Sequence, residues 1–164
     1  MKLLCSFVLV AASVFVTNCF AEESVDAKSL DFGDYSSSTL TTKGWDAYNA
    51  KKYKVAVAYA KECIDRYGKE AVAMQKELDA PVPSSDKDAV QSKWALNDVG
   101  TCYFIMGQAL EKLEQTDEAI KVYKKLLKDV PFAQCWDPQG WFWKPADAAK
   151  KQVKMLEFQQ LEDE

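Results

Sequence analysis

The chain has 164 residues, of which 48% are hydrophobic and 28% charged, with a formal net charge of −4 and no histidine. An acidic chain without a dense Lys/Arg run lacks the means to neutralise a phosphate backbone, which argues against nucleic acid as a partner. Without histidine there is no Ser–His or Cys–His catalytic pair and no Cys/His zinc site.

The first 21 residues read as a secretory signal. Lys2 supplies a positive start, residues 3–16 are almost wholly apolar, and Cys19-x-Ala21 precedes Glu22 and Glu23 in the small-x-small pattern of a cleavage site. The apolar run is too short for a membrane-spanning helix, so no span is expected after cleavage. Val16-Thr17-Asn18-Cys19 also loosely resembles a bacterial lipobox, although Asn18 fits it poorly; in that reading Cys19 carries a lipid anchor. Either way the protein is expected in the periplasm or outside the cell.

Residues 22–36 are polar, Ser/Asp-rich and without helical periodicity, and read as a flexible leader. A helical domain is expected over 37–162. Leu40, Gly44, Ala47 and Tyr48 suit a short first helix, and Lys51-Lys52 suit a turn. A stripe from Ala56 through Ala60, Cys63, Ile64, Tyr67, Ala71, Met74 and Leu78 predicts one long helix over 53–79. Gly68 lies inside it, but a glycine costs only about 1 kcal/mol against alanine there. Proline at 81 and 83 ends it.

A second long helix is expected over 86–114, where Leu96, Val99, Tyr103, Met106, Leu110 and Leu113 keep one apolar face. Ser85 and Asp88 suit a capping box at its start. Thr116 suits the cap of the next helix, which buries Ala119, Ile120, Tyr123, Leu126, Leu127 and Val130 and ends before Pro131. So short a connection makes the two helices antiparallel. Residues 132–143 form an aromatic loop punctuated by Pro138 and Gly140. Pro145 opens a closing helix over 145–161 with Ala149, Val153, Met155 and Leu156 as its apolar set. Cys63, Cys102 and Cys135 remain after cleavage, none in CxxC spacing; one bridge or three buried thiols both satisfy the pattern.

Tyr103-x2-Met106-Gly107-x2-Leu110, then Ala119-x3-Tyr123, then Pro131 is similar to the tetratricopeptide (TPR) pattern. Gly44 and Ala56 repeat the 12-residue separation of Gly107 and Ala119. In the first unit Lys43, Ala60 and Gly68 stand where leucine, an aromatic and proline are expected. The two glycines lie 63 residues apart, whereas tandem TPR units repeat at about 34. The resemblance covers residues 37–133 and implies an all-α fold of about five helices, two of them elongated, in TPR-like α-α hairpins closed by a C-terminal capping helix. Trp94-Ala95-Leu96-Asn97-Asp98-Val99 and Phe132-Ala133-Gln134-Cys135-Trp136-Asp137-Pro138 further resemble a family of small exported bacterial TPR-like proteins sometimes labelled beta-glucanase precursor.

By matched position, the TPR resemblance places Thr41, Trp45, Tyr48, Asn49, Thr101, Phe104, Gln108, Glu111 and Lys112 along a concave groove. Trp45, Tyr48 and Phe104 would anchor a peptide there, with Asn49 and Gln108 fixing its backbone. The alternative is an accessory protein that stacks sugar rings on Trp136, Trp141 and Trp143; against it stands a loop pinned down as the solenoid's cap. A glycoside hydrolase would need two carboxylates across a sugar-sized cleft, with Asp98, Glu111 and Asp137 as the candidates. No phosphate loop or dinucleotide fingerprint is present, and no catalytic residue, metal or cofactor is expected. The sequence therefore reads as an exported TPR-like scaffold for a protein or peptide of the cell envelope.

Overall fold

The computed structural model describes residues 29–162. The signal segment, Cys19 and residues 22–28 lie outside the described residues. The fold is all-α and TPR-like, with six helices and one short hairpin of strands among the described residues.

Helix α1 (Ser37–Asn49) starts under a cap from Ser36, whose hydroxyl accepts from the Thr39 N–H at 3.2 Å. It turns into α2 (Tyr53–Lys76), a 24-residue helix running straight through Gly68. The turn is a Schellman-type closure in which the Lys52 N–H donates to the Ala47 carbonyl at 2.8 Å while Lys51 adopts φ 60°. Helix α2 stops three residues short of 79, in 3₁₀-type bonds from the Glu77 and Leu78 N–H groups to Met74 and Gln75.

The expected helix over 86–114 divides into α3 (Lys87–Ser92) and α4 (Trp94–Lys112), which makes six helices rather than five. The break has a local cause. Asn97 Nδ2 donates to the Val90 carbonyl at 2.7 Å, and Lys93 N–H closes a tighter turn onto the same oxygen. The cap also differs from expectation: Asp86, not Ser85, accepts from the Ala89 N–H. Helix α5 (Thr116–Asp129) likewise starts after Gln115, with no side-chain cap from Thr116. Its turn repeats the first one, with Glu114 at φ 60° and Gln115 N–H on the Leu110 carbonyl.

Helix α4 does not have one apolar face. It is enclosed by α1, α2, α5 and α6, and Thr101, Cys102, Phe104, Ile105 and Ala109 are buried together with Leu96, Val99, Tyr103 and Leu110 of the expected stripe, while Met106 and Leu113 are partly buried. Close approach to its neighbours rests on two glycines. A Cβ on Gly107 would lie 2.3 Å from the Tyr123 ring, and one on Gly100 would lie 2.2 Å from the Ala133 Cβ. In the first unit, where Ala60 replaces the aromatic, Ile105 of α4 comes to within 3.4 Å of the Cβ that Gly44 lacks.

The aromatic loop is not irregular. Residues Cys135–Asp137 (β1) and Trp141–Trp143 (β2) pair antiparallel, Cys135 opposite Trp143 and Trp136 opposite Phe142. Asp137 builds the turn, its carbonyl accepting from Gly140 and its carboxylate from the Gln139 N–H, with Gly140 at φ 109°. Helix α6 (Pro145–Glu162) then packs on α5 through Ala149, Val153 and Leu156, while Met155 is exposed, contrary to expectation.

The end of the expected flexible leader is also folded. Leu30 and Phe32 pack against the core, Phe32 meets Tyr59 edge-on at 5.4 Å, and Tyr59 and Tyr67 donate to the Asp31 and Tyr35 carbonyls.

Candidate binding cleft

A cleft of about 400 Å³ opens between α1, the α3–α4 break and the strand hairpin. Its walls are Trp45 from α1, Trp94 from the start of α4, and Trp136 with Phe142 from the hairpin. Trp94 and Trp136 are 41% and 47% exposed, so both rings offer free surface. The floor is polar, with Thr41, Asn97, Asp98 and Thr101. Helical spacing explains how α4 supplies so much of it. Trp94, Asn97, Asp98 and Thr101 stand at i, i+3, i+4 and i+7, which is one face of the helix.

Internal hydrogen bonds hold the floor rigid. Asn97 Oδ1 accepts from the Gln134 N–H at 2.9 Å while its amide nitrogen serves Val90, so one side chain ties the helix break to the hairpin. Gln134 Nε2 donates to the Val82 carbonyl at 2.8 Å. Thr101 donates to the Asn97 carbonyl, and Thr41 to that of Ser37. Asp98 accepts from the Ser37 hydroxyl and, among the described residues, has no cation beside it. Burial holds its carboxyl above the ordinary carboxylate range, and the Ser37 hydrogen bond offsets only part of that.

The residues named from the TPR pattern are divided by the fold. Thr41, Trp45 and Thr101 line the cleft. Tyr48 turns toward Trp45 and Tyr53, with ring centroids 6.0 and 5.6 Å away, and Asn49 is exposed at the end of α1. Phe104 is buried between Trp45, Tyr123 and Trp143, and Gln108, half-buried, is not among the lining residues. Glu111 accepts from the buried Tyr123 hydroxyl, and Lys112 is exposed.

The three loop tryptophans are also separated. Successive strand residues face opposite ways, so Trp136 shares a face with Phe142, while Trp141 and Trp143 share the other. Trp136 meets Phe142 edge-on at 4.9 Å beside the cleft, Trp143 packs on Phe104, and Trp141 is 49% exposed. Sequence reasoning missed Trp94, Asn97 and Gln134 as cleft residues. A signal was there: the two segments quoted for the exported-family resemblance, 94–99 and 132–138, are the ones that meet at this cleft.

Cys63, Cys102 and Cys135 are all buried free thiols. Among the described residues no group of three His, Cys, Asp or Glu side chains could hold a metal ion, and no helix is long and apolar enough to cross a membrane.

A family model described as Tetratricopeptide repeat matches residues 101–133, which span most of α4, all of α5 and the segment leading to the hairpin. This makes the chain a TPR-like protein over that unit, and a protein-interaction scaffold is the role such a repeat implies. No curated protein and no solved structure matches the chain.

Proposed function

We propose that this chain is an exported TPR-like scaffold that holds a protein or peptide partner in the aromatic cleft. One observation carries the reading: Trp45, Trp94 and Trp136, from three distant parts of the chain, converge on one rigid, polar-floored cleft. Rigid aromatic side chains beside a concave surface are the usual anchors of an interface, because they bury much area while losing little side-chain freedom. Capture from a cell-envelope extract with tagged protein, followed by mass spectrometry, tests it. A recurrent partner is expected, and Trp45→Ala should lose it. Retention of that partner by a folded Trp45→Ala protein would refute the site.

Export belongs to the same proposal. Cleavage after Ala21 gives a mature protein whose N-terminal residue is Glu22, which N-terminal sequencing reads directly. A lipid anchor at Cys19 instead gives a blocked N-terminus and partition into detergent.

The second reading, a glycan-binding accessory protein, is favoured by the exposure of Trp136 and Trp141, at 47% and 49%. Their placement on opposite faces of the hairpin weakens it, since a sugar chain stacks best on rings that share a face. Retention of glucan that Trp141→Ala abolishes would establish it. A glycoside hydrolase has least support, because among the described residues lining the cleft Asp98 is the one carboxylate and the reaction uses a pair.

A further inference from the structure

The cleft's polar groups are unequal in what they have left to offer a ligand. Asn97, Gln134, Thr101 and Thr41 each direct a side-chain donor to a carbonyl of the chain itself. Among the described residues Asp98 accepts one hydrogen bond, from the Ser37 hydroxyl, which leaves the rest of its carboxylate open to a ligand. It is also, among the described residues, the one charged residue lining the cleft, and no Lys or Arg of theirs pairs with it. A half-buried carboxylate without a cation is costly to maintain, and a cation arriving from outside removes that cost. The surrounding rings add to the same preference, because the face of an indole attracts a cation through its quadrupole. Trp136 already does this within the chain: the Lys87 ammonium, outside the lining, lies 4.9 Å from its ring centroid. The net charge of −4 favours a basic partner as well.

We infer that the cleft receives an arginine or lysine side chain of the partner protein, with the Asp98 carboxylate as its counter-ion and Trp45, Trp94 and Trp136 as its aromatic wall. This rests on the cleft being the partner site. Arginine fits both halves of the site, since its planar guanidinium stacks on an indole while its N–H groups reach a carboxylate.

The experiment titrates the full chain with a capped Ala-Ala-Arg-Ala-Ala peptide and with its citrulline counterpart, which keeps the shape and removes the charge. Indole N–H resonances of all five tryptophans are followed by NMR, with Trp141 as the internal control. The arginine peptide is expected to move Trp45, Trp94 and Trp136 and to bind about tenfold or more tightly than the citrulline peptide. Asp98→Asn should remove that difference. Equal binding of the two peptides at these indoles overturns the counter-ion role and leaves the cleft as a binding site. Should neither peptide move them, the counter-ion role falls; the cleft reading then stands only if Trp45→Ala still loses the captured partner. Movement by a glucan oligosaccharide alone overturns both in favour of the glycan reading.

Discussion

Lys51 and Glu114 hold the same left-handed backbone conformation, φ 60° in each, 63 residues apart. Each closes a helical hairpin with a bond from the next residue's N–H back across the turn, Lys52 to Ala47 and Gln115 to Leu110. The same offset separates Gly44 from Gly107, so the two units share the position of their turn and of a glycine despite very different helix lengths. Of the two, only at Gly107 would an added Cβ lie closer to a neighbour than ordinary contact. A left-handed conformation costs a residue with a Cβ about 1–2 kcal/mol that glycine avoids. Lys51→Gly and Glu114→Gly are therefore each expected to raise stability by about 1 kcal/mol, less the extra freedom glycine brings to the unfolded chain. Urea denaturation of the single and double variants checks this, and the gains should add because the turns are in separate hairpins.

Gly100 is expected to tolerate no side chain. Its missing Cβ would lie 2.2 Å from the Ala133 Cβ, and neither group is the end of a flexible chain that could swing aside. Gly100→Ala should cost about 2–3 kcal/mol by forcing α4 and the 130–135 segment apart. Paired with Ala133→Gly, which reopens the space, much of that loss should return. Thermal unfolding of the single and double variants is the check.

Trp143 contributes to the fold through its packing on the core. Its ring stands edge-on to Phe104 at 5.2 Å, where it covers the outer side of α4. Trp143→Ala should destabilise the fold by about 2–3 kcal/mol, below the full core value because the ring is only half-buried. Trp141→Ala, at an exposed site, should cost under about 0.5 kcal/mol. Comparable losses for the two would contradict the difference in burial between them.

Asp98 should leave a signature in the pH dependence of stability. Among the described residues the Ser37 hydroxyl of α1 donates to it, and the buried Cys102 and Cys135 thiols lie within reach of its charge. Burial holds its carboxyl above the ordinary value, so between the two values the folded chain binds more protons than the unfolded one. Stability contributed by Asp98 is thus lost as pH rises through that window. Asp98→Asn should remove this term and be the more stable protein at neutral pH, provided the amide keeps Ser37 as its partner. Urea midpoints of both proteins between pH 4 and 8 test it; parallel curves would contradict the burial of the carboxyl.

The three described thiols should be inert in the native protein. Burial pushes the Cys135 thiol up to about 12, and burial beside Cys63 raises Cys102 well above its ordinary value. Only the thiolate attacks an alkylating reagent. Iodoacetamide at pH 8 is expected to leave Cys63, Cys102 and Cys135 unmodified until denaturant is added, as peptide mass spectrometry would show. Rapid labelling of any of the three in the native state would contradict the packing around it.

What the sequence determined by itself was the part of the fold governed by local repetition. The stripe through Gly68, the paired spacings Gly44–Ala56 and Gly107–Ala119, and prolines at 81, 131 and 145 specify helix periods, turns and ends from residues near in the chain. The hairpin over 135–143 was less legible, because three-residue strands are too short for a period of two to stand out. The break at Lys93 depends on Asn97 reaching back to Val90, a competition that periodicity does not record. Only the tertiary structure decided which aromatic residues face solvent. Phe104 has the spacing of a groove residue but is covered by Trp143, from 39 positions later in the chain, while Trp94 ends up beside a cleft whose other walls come from α1 and the hairpin. Exposure is a property of what packs on a residue from far along the chain, and one segment's sequence carries only half of that contact.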